Sequence, residues 1–167
     1  MLRYAVQMTA IIVRPIRGRI EIHGLRAPRG HEVPNKLMFK NAAGSGIRPT
    51  WEAAAEGEPP WKGYWSISRQ HLTDVAEAIA IRDGEVLIEM HYSQTEKCDR
   101  RCQKAEGVEC TCACEGKYHG NLQHASWFQV GESTLIQGQD AKVVTRILDR
   151  EQAEADSDAR MRGWFEE

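Results

Sequence analysis

All five cysteines of this 167-residue chain lie between Cys98 and Cys114. An odd count packed this tightly does not make a fully paired disulfide framework, and a secreted scaffold spreads its cysteines along the chain to close loops. The clustering predicts metal binding in a reducing compartment. It also leaves no isolated cysteine elsewhere, which removes most of the support for thiol catalysis.

The spacing is C-x3-C-x7-C-x-C-x-C-x4-H: Cys98, Cys102, Cys110, Cys112, Cys114 and His119. Two thiolates four residues apart face one way on a helical turn or short loop. Cys110, Cys112 and Cys114 share one side if that piece is extended, because side chains alternate along a strand. Zinc takes four such donors, and a structural zinc site supplies folding energy that a small polar segment cannot draw from a core. Which four of the six bind stays open at this stage, and an iron–sulfur cluster is the alternative cofactor, since it also accepts four thiolates. Packing the thiols as small hydrophobes fits poorly, because Ala105, Val108 and Ala113 are nearly the only apolar neighbours.

The run Cys98-x3-Cys102-x2-Ala105-x-Gly107-x2-Cys110-x-Cys112-x-Cys114-x-Gly116-x2-His119-Gly120 resembles a small cysteine-rich module of uncharacterised phage, plasmid and actinobacterial proteins. Tyr118 stands where that module has Asn. The resemblance covers about a seventh of the chain. It implies a metal-binding element of a mobile-element type of protein, and it brings no established reaction with it. A fainter similarity relates Trp65-x-Ile67-x3-His71-Leu72-x2-Val75 and the strand at residues 84–88 to small α+β modules that accompany DNA-annealing helicases.

Charge is distributed unevenly. Residues 1–50 carry nine Lys or Arg against two Glu, residues 51–97 four bases against nine acids, residues 98–120 four against four, and residues 121–167 five against nine. A basic first third on an acidic remainder is the asymmetry of a protein that sets one face on phosphate or on an acidic partner, or of a basic arm that folds onto its own body. The apolar stretch at residues 8–13 falls far short of the ~20 residues that span a bilayer, and no secretory signal is legible; a cytoplasmic protein with no membrane partner is expected.

The period of the apolar residues predicts strands at residues 5–13, 19–23 and 36–40, with Ile20 and Ile22 on one face of the second. A helix is expected from Ser68 as N-cap, with Leu72, Val75, Ala76 and Ile79 as its buried stripe and Asp74 and Glu77 in water. Asp83-Gly84 ends it and opens a strand whose Val86, Ile88, Met90 and Tyr92 share a side. Residues 127–130, 134–137 and 143–148 predict a β-meander, the last also fitting a helical stripe, and the tail from Arg150 predicts a helix. The expected fold class is α+β: a small mixed sheet with one packed helix, a zinc knuckle and a C-terminal helix. Its parts are residues 1–97, the metal module 98–120, and 121–167 within the same domain.

No Gly-rich nucleotide cradle, deaminase signature or His-Glu-x-x-His pattern is present. Glu89 and His91, two apart on a strand, could join Asp83 or Glu85 in a metal-dependent nuclease site, the third choice of function. The first is a non-enzymatic, zinc-stabilised nucleic-acid-binding or accessory protein. It places Arg14, Arg17, Arg19, Arg26 and Arg29 on phosphate and Trp61, among the Trp51, Tyr64 and Trp65 aromatics, against a base. At least two of these rings are expected in the core. The alternative is a protein-binding inhibitor or adaptor, for example against a host defence system, acting through its acidic surface.

Overall fold

The structure is a computed structural model that describes residues 10–25, 39–40, 44–58, 62–95, 128–129, 134–135 and 141–163. Within these residues it is a mixed α+β fold. Strands β1 (Ala10–Arg14), β2 (Ile20–His23), β5 (Thr50–Glu52), β6 (Tyr64–Ile67), β7 (Glu85–Ser93) and β10 (Ala141–Asp149) form one sheet in the order β5-β6-β2-β1-β7-β10. The two-residue strands β8 (Phe128–Gln129) and β9 (Thr134–Leu135) both pair with the outer edge of β10. A second small sheet joins β3 (Phe39–Lys40) to β4 (Gly46–Ile47). The helices are α1 (Leu72–Asp83) and α2 (Arg150–Gly163).

The centre of the sheet is the parallel pair β1 and β7, where Ile12 lies opposite Ile88 and Ala10 opposite Val86. All other pairings are antiparallel among the described residues. Parallel strands need a crossover, and α1 supplies it between β6 and β7. The expected alternation is observed: Ala10, Ile12, Ile20, Ile22, Val86, Ile88, Met90, Tyr92, Val144 and Leu148 are buried on one face. Each such aliphatic side chain, fully removed from water, contributes about 1.5–3 kcal/mol, so this stripe holds the sheet to its helix.

The expected stripe of α1 is fully buried, at 0% exposure for Leu72, Val75, Ala76 and Ile79. The helix itself starts at Leu72. A 3-10 turn at Arg69–His71 precedes it, with Ser68 extended at its head and accepting from His71 N at 3.1 Å through its backbone oxygen. At the other end Gly84 takes φ 102° and donates to Ala80 O at 2.8 Å, a conformation that favours glycine.

Two expectations are corrected here. Glu77 does not lie in water: it is 3% exposed, because α2 packs along that side of α1 and sets Arg160 against it. Nor do the described strands within residues 128–149 pair as a meander. The nine residues of β10 offer their free edge twice, residues 142–143 to β9 and 146–147 to β8, so β8 and β9 share a partner and do not pair in sequence order. The knuckle expected at 98–120 lies outside the described residues.

Helix α2 follows β10 without a connecting loop. Asp149 Oδ1 accepts from Gln152 N at 2.9 Å, and Arg150 N donates to Gly84 O at 2.8 Å, tying the start of α2 to the end of α1. The Asp-x-x-Gln spacing is that of a helix-start capping pair.

Candidate functional site

Both helices contact the sheet through α1–β7, α1–β10 and α2–β10 on the face just described. On the opposite face no helix packs among the described residues. Parity puts Glu21 and His23 of β2, Tyr64 and Ser66 of β6, Thr50 and Glu52 of β5, Ile11 and Val13 of β1, and Glu89 and His91 of β7 there.

The register sorts them into two rows. In the first, Glu52 lies opposite Tyr64, His23 opposite Ile11, and Ile11 opposite Leu87, which faces Ile147 of β10. In the second, Thr50, Ser66, Glu21, Val13, Glu89 and Thr145 are successive cross-strand partners. The sheet thus brings the carboxylates of Glu21, Glu52 and Glu89, two imidazoles and a phenol to one surface with half-buried Ile11, Val13 and Leu87 among them.

Hydrogen bonds fix the β2–β6–β5 side. Arg19 Nε donates to Ser66 Oγ at 3.0 Å and Arg19 Nη2 to Ser66 O at 3.2 Å, while Ser66 Oγ donates to Glu52 Oε1 at 2.8 Å. His23 Nε2 lies 3.0 Å from Glu21 Oε2, and its ring centroid lies 5.1 Å from that of Tyr64. Loss of water, then the charges of Glu21 and Glu52, hold the Tyr64 hydroxyl above its ordinary pKa. Burial draws His91 below its ordinary value, opposed by Glu89, reinforced by Arg14 and opposed again by Glu21. Burial is the largest cause of both shifts; the carboxylates Glu21, Glu52 and Glu89 add an upward push on these groups, the sign of a local negative potential.

The arginines expected on phosphate divide three ways. Arg14 is corrected: it is 1% exposed, its guanidinium carbon lies 4.6 Å from the Tyr92 ring centroid and its Nη2 donates to His91 O at 3.4 Å. It ends β1 on the helix-covered face, so it is a core cation and offers nothing to a phosphate in solvent. Arg17 and Arg19 are exposed on either side of Gly18, with Arg19 committed to Ser66. Arg26, Arg29 and Trp61 lie outside the described residues, as do Cys98, Cys102, Cys110, Cys112, Cys114 and His119. Of the other aromatics, Trp65 is buried and Trp51 packs partly buried against it, rings 5.1 Å apart and edge-on.

Glu89 and His91 do share a face, and Glu85 is on it by parity, whereas Asp83 ends α1 and is held by Arg82 through two contacts of 2.6 Å. Among the described residues no group of three or more His, Cys, Asp or Glu is placed to hold a metal ion. No described helix is long and apolar enough to cross a membrane.

The sequence reading paired His91 with Glu89 and set Tyr64 among the aromatics near Trp61, and it joined neither to His23. The signal that would have joined them is the alternation in Arg19-Ile20-Glu21-Ile22-His23 and Tyr64-Trp65-Ser66-Ile67, which puts every polar residue of both strands on one side. Comparison with protein-family models, with curated proteins and with solved structures finds no match.

Proposed function

We propose that this chain is a non-enzymatic binding protein whose helix-free sheet face docks a basic segment of a protein partner, and that its cysteine-rich segment is a zinc-stabilised element. One observation carries the reading: Glu21, Glu52 and Glu89 share that face with half-buried Ile11, Val13 and Leu87. Of the arginines meant for phosphate, Arg14 lies inside the fold and Arg19 donates to Ser66. A phosphate backbone brought to this surface meets carboxylates; a Lys- or Arg-bearing segment meets complementary charge over an apolar floor.

The nucleic-acid reading retains Arg17 and Arg19 on the turn before β2, and the experiment separates the two. The full chain is titrated with an Arg/Lys-rich peptide and with single- and double-stranded oligonucleotides at two salt concentrations. The variants are Glu21→Gln with Glu89→Gln, and Arg17→Glu with Arg19→Glu. Peptide binding that falls about 2- to 30-fold in the Gln pair and survives the Arg pair supports the protein-docking reading, since surface charge pairs contribute roughly 0.2–1 kcal/mol each. Oligonucleotide binding whose log affinity falls steeply with log salt, and which is lost in the Arg pair alone, overturns it.

A further inference from the structure

Glu77 sits on α1 with its side chain 4% exposed, facing α2. Arg160 of α2 reaches it through Nη2 and reaches Asp74 through Nη1 at 3.3 Å, while Glu77 Oε1 has no hydrogen-bond partner among the described residues. Among the side chains of residues 150–160, only Ala153 is buried with the core. The helix is also held at its start, by Arg150 N on Gly84 O and by Arg150 Nη2 on Arg82 O at 3.4 Å. A helix secured at one end by backbone contacts and further along by a buried, half-satisfied carboxylate depends on the state of that carboxylate.

We propose that α2 is a pH-dependent latch on α1, docked more tightly when Glu77 is protonated and loosened when it ionises. Burial is the largest influence on Glu77 and raises its pKa from the ordinary 4.5 to about 7, exceeding the lowering by Arg160; Asp156 and Asp74 raise it further. Those three are the charged groups that act on it, two from α2 and one from its own helix. Of the other elements packed on α1, β7 turns Val86, Ile88, Met90 and Tyr92 to the helix side. By register β10 places Lys142 and Arg146 on that side; β3 carries exposed Lys40, and the 3-10 turn carries His71 and Arg69, the latter directed to the carbonyls at residues 15–18.

The sign runs opposite to that of an ordinary Glu–Arg pair. The docked state holds a proton that the undocked state releases at lower pH, so docking is strongest below about pH 4.5 and weakens as pH rises through about 7. With an undocked Glu77 at its ordinary value, linkage gives a docking constant on the order of 70-fold larger at pH 5 than at pH 8. An exposed salt bridge would instead weaken on acidification.

The test is hydrogen exchange of α2 amides in the full chain from pH 5 to 8, corrected for the intrinsic pH dependence of exchange, in wild type and Glu77→Gln. The expected result is protection that falls several tens-fold as pH rises in wild type and stays flat in the Gln variant. Identical profiles in the two, or wild-type protection that grows with pH, overturn the latch. Direct carboxyl-carbon titration of Glu77 by NMR in the wild type needs no variant to fold. A midpoint near 7 agrees, and a midpoint below 5 overturns.

Discussion

Gly63 precedes β6, is buried, and has no room for a side chain. A Cβ there would overlap Trp51 Cζ2 and come within 2.9 Å of both Trp51 Cη2 and Glu52 O. The carbonyl belongs to β5, whose Trp51 and Glu52 pair in register with Trp65 and Tyr64, so it does not retreat without breaking the edge of the sheet. The ring must move instead, giving up its edge-on contact with Trp65, a contact of a kind that contributes about 0.5–1.5 kcal/mol. Overpacking strain adds about 1–3 kcal/mol. Against this, Ala in place of Gly restricts the unfolded chain and returns about 0.4–1 kcal/mol. Gly63→Ala is therefore expected to destabilise by about 0.5–4 kcal/mol net, lowering Tm by roughly 1–16 °C for a chain of this size. Thermal and urea unfolding followed by circular dichroism measure it. A Trp51→Ala background localises the cause, since the penalty of Gly63→Ala should shrink there by about 1 kcal/mol. A Gly63→Ala protein as stable as wild type, or a penalty unchanged without the Trp51 ring, would refute the packing argument.

Arg69→Met removes a guanidinium whose Nη1 donates to Pro15 O at 2.8 Å and Ile16 O at 3.2 Å; urea unfolding should show a loss of about 1.5–3 kcal/mol, the range for hydrogen bonds to charged donors. Elemental analysis of reduced protein is expected to find one zinc, with metal content lost in Cys98→Ser or Cys102→Ser; no metal, or iron with sulfide, removes the zinc assignment.

The elements legible in the sequence are those whose period and burial agree. Ile20 and Ile22 alternate and are both at 0% exposure; Leu72, Val75, Ala76 and Ile79 recur at helical spacing and are equally buried. What escaped was set by contacts between elements distant in sequence. Arg14 closes an apolar run and reads as its solvated end, but β7 brings Tyr92 beneath its guanidinium, a contact across 78 positions that local pattern does not carry. Glu77 reads as part of a wet helix face because nothing near it announces that a segment starting at Arg150 will lie over it. The helix-free face was half legible: parity of β2 and of β6 was readable strand by strand, but their antiparallel register, which seats Ser66 opposite Glu21, was not. The metal module remains a reading of the sequence, since its ligands lie outside the described residues.

The same distinction bears on how charge translates into surface. The excess of bases in residues 1–50 suggested a cationic face, but a formal charge contributes to a long-range field only where water and neighbours leave it unneutralised. Arg14 is withdrawn into the core beside Tyr92, and Arg19 lies along Ser66, within the same hydrogen-bonded chain as Glu52. Glu21 and Glu89, by contrast, alternate outward on strands whose inward residues are aliphatic, and the only residue between them in their row is Val13. Counting along the chain weights all of these groups equally, whereas folding engages both arginines and sets Glu21, with His23 beside it, and Glu89 on the helix-free face. This inversion favours a basic partner over a phosphate backbone at the sheet face. It also makes Glu21 and Glu89, rather than the arginine count, the residues whose neutralisation decides between the two.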